Sequence, residues 1–579
     1  RALGLAGGRE VVRQDIAGLM GVFGMDLMAK DEYGDNPRSA TRMNAQDLAE
    51  FGVKTKNSRC RKCENRCLRT INRFSDGRMF SAGNRCERGA ATKSTAAAKI
   101  DALAQRAHLG DISPALAKLP AIGTLAETQA TEFTELPNLF KWNHYRLFEV
   151  YRPLPASDAR GVVGIPRALG LYDNYPFWFT FFHNLGFRVE LSPPSSKELF
   201  NQALDTIPSQ TVCYPAKLVH GHVLELVRRK PDFIFFPCIT LDQSAAYKTD
   251  DRYNCPLVGS YGEIIRLNMD VLQDSGVPFI SPFLDLSSAS RLERRLLKEL
   301  SFLRLSLPSI RLSLKLAYRE LARFRADIHS AGDRALAYLE KTGGAGVILA
   351  GHPYHLDPEV HHGISDVIAT NGLAVLTCDS VDHLAPDDYK LRMVDQWVPH
   401  SRLYRAALVA AGRDELELVQ LNSFGCGLDA VTTDQVADII EEAGKVYTLL
   451  KIDEGANLGA ARIRIRSLLA AIRDRRRHRR TNSTRKVYRY QPASASVENL
   501  SEYTLLCPQM APVHWNFLSP AMAAAGFKLE VLPKVSREAI EEGLRYVNND
   551  ACYPAVVSIG QLIRALKTGG YDLNRTAVV

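Results

Sequence analysis

Eleven cysteines stand among the 579 residues, in two populations. Cys60, Cys63, Cys67 and Cys86 form a compact C-x2-C-x3-C-x18-C cluster. Four thiolates so spaced can surround one zinc ion or hold one iron–sulfur cluster; spacing does not exclude either, but by itself favours zinc, since short paired-cysteine ribbons are commonly structural zinc sites. Arg59, Arg61, Lys62, Arg66, Arg69 and Arg73 surround the cluster with positive charge that favours thiolates and an anionic centre. The other cysteines, Cys213, Cys238, Cys255, Cys378, Cys426, Cys507 and Cys552, are dispersed.

Three of the dispersed cysteines sit where chemistry is favoured. In Cys213-Tyr214-Pro215-Ala216 the proline fits the first turn of a helix, where its missing N–H goes unnoticed, so Cys213 falls at the helix N-terminus. Free N–H groups and the helix dipole there favour a thiolate. Cys238 follows the apolar strand Asp232–Phe236, at the carboxyl edge where open α/β sheets place ligands. Cys426 lies in the turn Gly425-Cys426-Gly427 after another strand, and glycine lets backbone approach a bulky cluster. Cys213, Cys238 and Cys426 are therefore the candidate ligands of a second redox metal site. Against them stands the usual fate of an isolated cysteine as a small buried hydrophobe, the stronger reading for Cys255, Cys378 and Cys507.

His352, His355, His361 and His362, after the strand Gly346–Ala350, suit a metal site or the floor of a polar pocket, although histidines more often fill structural roles. Asp453, Glu454, Arg462, Arg464 and Arg466 read first as ion pairs around a helix start, and the arginines alternatively as contacts for an anionic partner.

The elements that must position these groups are short apolar strands alternating with helices. Val162–Ile165, Phe187–Leu191, Asp232–Phe236, Gly346–Ala350, Leu373–Thr377, Leu416–Leu421 and Val446–Lys451 read as strands. Helices are predicted from about Tyr175 to Leu185 and from Cys213 to about Arg229. This alternation predicts a multidomain α/β fold of parallel-sheet units. Leu, Ala and Arg at helical spacing predict a helical insertion over about 290–342. An internal repeat is also present. Gly186-Phe187-Arg188-Val189-Glu190 matches Gly526-Phe527-Lys528-Leu529-Glu530, Cys213-Tyr214-Pro215-Ala216 matches Cys552-Tyr553-Pro554-Ala555, and Gly221 matches Gly560. Two copies of one α/β unit follow, the second cut short.

Composition bounds the rest. A chain 46% hydrophobic and 24% charged is neither disordered nor collagen-like, and no apolar run reaches the ~18 residues of a membrane span. The net charge of +9 is concentrated between Arg462 and Lys486. With no aromatic platform beside it, that run reads as a solvated basic linker rather than a nucleic-acid site. An odd cysteine count and no secretory pattern at Arg1-Ala2-Leu3-Gly4 predict a reducing, cytoplasmic setting. The absent initiator methionine, and a strand-like Thr576-Ala577-Val578-Val579, predict a piece of a longer polypeptide.

Several segments resemble one family. They are Cys60–Gly89, Gly164-Ile165-Pro166-Arg167 with Asn174-Tyr175-Pro176-Phe177-Trp178, Cys213–His222, Phe236-Pro237-Cys238, Asn422–Asp429 and Lys451–Leu468. In these the chain resembles the large ATP-dependent CoA enzyme activases related to activators of 2-hydroxyacyl-CoA dehydratases and benzoyl-CoA reductases. The resemblance implies the end of an actin-like ATPase domain over 1–35, a linker and cysteine-rich cluster segment over 36–100, and an activase α/β domain over 160–470. It further implies a basic linker over 471–500 and the start of a dehydratase-like unit over 501–579. Such proteins couple ATP hydrolysis to delivery of low-potential electrons in anaerobic metabolism. By that likeness Cys60, Cys63, Cys67 and Cys86 would ligate an iron–sulfur cluster of 4Fe-4S type, which tips iron above zinc. Cys213, Cys238 and Cys426 resemble the cysteines of dehydratase-like cluster domains. The implied partner is a dehydratase-like or double-cubane-cluster acceptor, and the small activators suggest a homodimer by analogy.

Two departures stand out. The phosphate loops and magnesium ligands of the ATPase are missing, so ATP and magnesium would enter only through the absent ATPase region. The family's usual Gly-Arg-Pro-Tyr-His reads Gly351-His352-Pro353-Tyr354-His355 here. The competing reading is a zinc-containing scaffold that docks CoA or a partner enzyme without redox chemistry.

Overall fold

The computed structural model describes residues 53–59, 68–74, 79–82, 133–243, 249–455, 458–478, 501–509, 512–548 and 550–578. The chain divides into two compact units, Arg1–Ser94 and Thr95–Val579.

The described part of the first unit is an antiparallel sheet of β1 (Val53–Arg59), β2 (Leu68–Phe74) and β3 (Met79–Ala82), in the order β1-β2-β3. Arg59 pairs with Leu68, Asn57 with Thr70, and Thr70 with Ala82, so the end of β1, the start of β2 and the end of β3 share one edge. Cys60, Cys63, Cys67 and Cys86 lie outside the described residues. In sequence, the first three fall between β1 and β2, and Cys86 follows β3.

The second unit is α/β throughout and is built three times on one plan. Its first portion contains β4 (Gly161–Ile165), α1 (Leu171–Asn184), β5 (Phe187–Leu191), α2 (Lys197–Asn201), α3 (Tyr214–Arg229) and β6 (Phe233–Phe235). The chain then forms β7 (Cys238–Leu241), α4 (Pro256–Asn268), β8 (Phe279–Ile280) and β9 (Phe283–Asp285). The main sheet runs β5-β4-β6-β8, all parallel, with β7 and β9 paired separately. α1 is apolar on every side, with Phe177, Trp178, Phe179, Phe181 and Phe182 fully buried. Such a helix must be covered, and the long helix described next packs across it.

Two helices follow, α5 (Ala289–Glu299) and α6 (Leu307–Thr342). Ser306 caps α6 by accepting the Ser309 N–H at 3.3 Å, and Pro308 occupies its first turn. Two ion pairs from one guanidinium tie α6 to the core: buried Arg146 bonds Glu320 at 2.9 Å and Asp327 at 2.8 Å.

The second portion contains β10 (Gly346–Ala350), β11 (Ala374–Leu376), α7 (Val398–Gly412), β12 (Leu416–Ser423), α8 (Asp429–Glu442), β13 (Thr448–Ile452) and α9 (Leu458–His478), its sheet running β11-β10-β12-β13 in parallel. The third contains β14 (Thr504–Cys507), α10 (Pro512–Ala524), β15 (Lys528–Val531), α11 (Arg537–Tyr546), α12 (Tyr553–Thr568) and β16 (Thr576–Val578), in the order β15-β14-β16. In each portion the second strand lies outside the first and the third strand on its other side. The carboxyl edge between first and third strands is thus a topological switch point, where such sheets bind ligands.

The sequence repeat between the first and third portions extends to atomic detail. Cys213 caps α3 with φ −61° and ψ 149°, and Cys552 caps α12 with φ −65° and ψ 148°. Ser196 and Ser536 cap the preceding helices through the N–H groups of Leu199 and Ala539. A Cβ on Gly221 would fall 2.4 Å from the Leu199 carbonyl oxygen, and one on Gly560 would fall 2.0 Å from that of Ala539. The paired glycines allow the same close helix crossing in both copies.

The basic stretch is helical as far as it is described. α9 reaches His478, Arg475 pairs with buried Glu417, and Arg476 donates to the Gly344 carbonyl at 2.9 Å.

Candidate functional site: three thiols at three helix N-termini

Three helices of the second unit begin beside a buried cysteine. Cys213 caps α3 and Cys255 caps α4, each with proline in the first turn, while Cys426 stands just before α8. Backbone N–H groups turn toward each sulfur: that of Ala216 toward Cys213, those of Leu257 and Val258 toward Cys255, and that of Asp429 toward Cys426. These N–H groups and the positive helix ends favour thiolate.

Tyr354 stands within electrostatic reach of all three thiols. Its phenol is held well above its ordinary pKa by burial and then by the charges of Cys255, Cys213, Cys426 and Asp429. The Tyr354 hydroxyl faces the Cys255 sulfur and favours its thiolate. Burial outweighs the N–H groups at each thiol: Cys213 is pushed up to about 12, with Cys255 adding repulsion. Cys426 is driven higher by burial, Asp429, Cys255 and Cys213, and Cys255 is raised by burial. Left to themselves the thiols are protonated at neutral pH, and a bound cation would have to displace those protons.

Gly425 shapes the approach to Cys426. Its φ is +77°, and a Cβ there would meet the Thr211 carbonyl oxygen at 2.6 Å. Only glycine meets both demands.

Beside the thiols lies a buried histidine–carboxylate network. Nε2 of His352 and Nε2 of His400 both lie 3.1 Å from Oδ1 of Asp429. Burial pushes the Asp429 carboxyl up, but the two imidazoles, His352 foremost, prevail and hold it well below the carboxylate range. His355 accepts the His352 backbone N–H on Nδ1 at 3.0 Å and faces Ser423 Oγ with Nε2 at 2.9 Å. Burial lowers its pKa to about 3, so it stays neutral. A cavity of about 30 Å³ beside His352, lined by Gly351, Thr377, Cys378, Asp379 and Arg402, has room for water but not for an organic substrate.

The structure therefore joins Cys213 and Cys426 to Cys255 instead of Cys238. The Cys238 thiol faces Ser281 Oγ at 3.5 Å and the N–H groups of Gly262 and Glu263, farther along α4. The chain does not turn away after β6 but re-enters a strand at Cys238, and that draws the thiol off the edge. The candidate histidines also part company. His361 packs edge-on against Phe140, and His362 faces the Asp453 carbonyl at 2.8 Å. Glu454 pairs with Lys217, joining α3 to the loop after β13. Cys507 closes β14 in the core and Cys552 is exposed.

Cys255, His400 and Asp429 are the residues that sequence reasoning passed over. Cys255-Pro256 carried the same helix-start signal as Cys213-Tyr214-Pro215.

Residues 162–381 match the family model described as CoA enzyme activase uncharacterised domain (DUF2229). The match runs from β4 to just past β11, so it takes in Cys213, Cys255 and Tyr354 and stops short of His400, Cys426 and Asp429. No curated protein sequence matches the chain. Residues 162–381 are thus similar to a domain of CoA enzyme activases, which suggests an activase role. Among the described residues no helix is long and apolar enough to cross a membrane.

Proposed function

We infer that this chain is an iron–sulfur part of an ATP-dependent activase that passes low-potential electrons to a 2-hydroxyacyl-CoA dehydratase-like or double-cubane-cluster acceptor. The observation that carries the reading is the placing of Cys213, Cys255 and Cys426 at three helix N-termini within electrostatic reach of Tyr354, in a chain whose residues 162–381 are similar to a domain of CoA enzyme activases.

The donor set fits a cluster better than a single ion. Among the described residues the groups whose ligand atoms all lie within 4.8 Å of one another do not include the three thiols. An all-thiol donor set ringed by backbone N–H groups suits an anionic iron–sulfur centre. Bound there, an iron–sulfur cluster would take up and release one electron at a time. The protein's own residues would hold its anionic charge: Ala216, Val258 and Asp429 through backbone N–H groups, and Tyr354 through its hydroxyl. Cys60, Cys63, Cys67 and Cys86 would hold a second cluster, a reading supported by strand ends gathered at one edge of the β1-β2-β3 sheet.

A second reading, a zinc-containing scaffold, is favoured by the buried group His352, His400 and Asp429, whose donor atoms suit zinc. Metal and acid-labile sulfide analysis of anaerobically reconstituted protein separates the two. Iron and sulfide in equal amounts, with absorption bleached by dithionite, support the activase reading. Stoichiometric zinc without iron supports the scaffold.

A further inference from the structure

A second group of ligand-bearing side chains stands away from the thiols, where α6 meets the turn Asp382–Leu384. His329 and Asp333 are one helical turn apart on α6, and Asp382 and His383 are adjacent in the turn. His329 Nε2 lies 3.1 Å from Asp382 Oδ1, and His383 Nε2 lies 3.1 Å from Asp333 Oδ1. The two imidazoles are stacked, centroids 4.2 Å apart and planes inclined by 23°. The donor atoms of His329, Asp382 and His383 all lie within 4.8 Å of one another.

The bland account is two separate His–Asp pairs. It leaves unexplained why ligand atoms of three different residues gather within 4.8 Å of one another. One cation bonded to His329, His383 and Asp382 would account for that gathering, and two carboxylates nearby balance a divalent charge. Imidazole with carboxylate suits zinc and its neighbours in the first transition row rather than magnesium or calcium. The scaffold is fixed in advance. A Cβ on Gly332 would fall 1.8 Å from the Ser380 carbonyl oxygen, so glycine alone lets α6 come this close, and Arg405 Nε holds the Asp382 carbonyl at 2.9 Å. Solvent reaches the rings, His329 being 34% and His383 25% exposed, which gives a metal a way in.

We propose that His329, His383 and Asp382 form a zinc-type divalent metal site, with Asp333 beside His383, that clamps α6 to the turn at Asp382. Among the described residues His383 Nδ1 is buried without a partner, so no outer hydrogen bond strengthens that ligand, and affinity should fall below that of a closed structural zinc.

The test is Co2+ uptake by the anaerobically prepared full chain, set against His329→Gln and His383→Gln. Glutamine keeps an N–H toward the neighbouring carboxylate, so the fold is spared. The wild type should take up one equivalent more than either variant, and the difference spectrum should show ligand-field bands without thiolate charge transfer. Zn2+ should raise the melting temperature of the wild type more than that of the variants. Asp333→Asn should weaken uptake about tenfold. Equal uptake and equal Zn2+-induced shifts in all the proteins overturn the proposal, and since no cysteine is altered, that result leaves the thiol reading untouched.

Discussion

Nε2 of His352 and Sγ of Cys426 approach to 3.8 Å. The contact links the thiols to the histidine network, because His352 also shares Asp429 with His400 and Asp429 opens α8 with its N–H facing that sulfur. The imidazoles fix the carboxylate, the carboxylate fixes the first turn of the helix, and that turn sets the N–H that favours thiolate at Cys426. Here two imidazoles, those of His352 and His400, hold the Asp429 carboxylate in its place.

Replacing Asp429 tests that chain of support. Asp429→Ala strands two buried imidazole N–H groups and should cost about 2–4 kcal/mol. Asp429→Asn keeps an acceptor oxygen and should cost clearly less. Thermal or urea unfolding of the two variants measures the difference, and equal losses would contradict the shared-oxygen arrangement.

The turn before Cys426 offers a matched pair of glycines. Gly425→Ala meets the Thr211 carbonyl and a positive φ, while an added Cβ at Gly427 meets nothing within 4 Å. Gly425→Ala should lower stability by about 2–4 kcal/mol and Gly427→Ala by no more than about 0.5 kcal/mol. Melting temperatures of the two variants decide it.

Much of the fold is legible in the sequence because its strands are short apolar runs. Phe187–Leu191 and Gly346–Ala350 have the predicted bounds, and Cys213-Tyr214-Pro215 opens a helix to Arg229 as proline chemistry requires. The helix predicted from Tyr175 begins earlier, at Leu171, because Pro176 lies inside it and not at its start. The plan occurs three times rather than twice: the β10–β13 portion keeps the strand order with no Cys-x-Pro signature to betray it. The site was half legible. In sequence, burial and ligation by cysteine look alike, so Cys255 reads as a hydrophobe. The meeting of His400 with Asp429 depends on how α7 and α8 pack, which no local pattern encodes.

Acid should loosen the second unit. His222 is held neutral by burial, its pKa lowered from 6.5 to about 3, and His361 likewise to about 4. Both pKa values are depressed in the fold, so their contribution is whole above pH 6.5 and is lost as pH falls toward the folded values. Between those limits each should remove about 1.4 kcal/mol per pH unit. A melting temperature that stays flat from about pH 7 to about pH 4.5 would contradict this.

Arg146 is buried with Glu320 and hydrogen-bonded to Tyr151 at 2.7 Å. Glu320→Gln leaves the guanidinium short of charge and should destabilise by about 3 kcal/mol. Arg146→Met, which strands the carboxylate, should cost at least as much. Thermal unfolding of each variant measures both, and a change within about 0.5 kcal/mol would show the pair to be dispensable.

The most direct test of the electron-carrier account compares two cysteines on the same helix-and-strand pair. Cys255→Ala and Cys238→Ala are each reconstituted anaerobically with iron and sulfide, and bound iron is counted per chain. The account predicts that Cys255→Ala loses one cluster's iron while Cys238→Ala retains the wild-type content. Loss in Cys238→Ala with full iron in Cys255→Ala would contradict it.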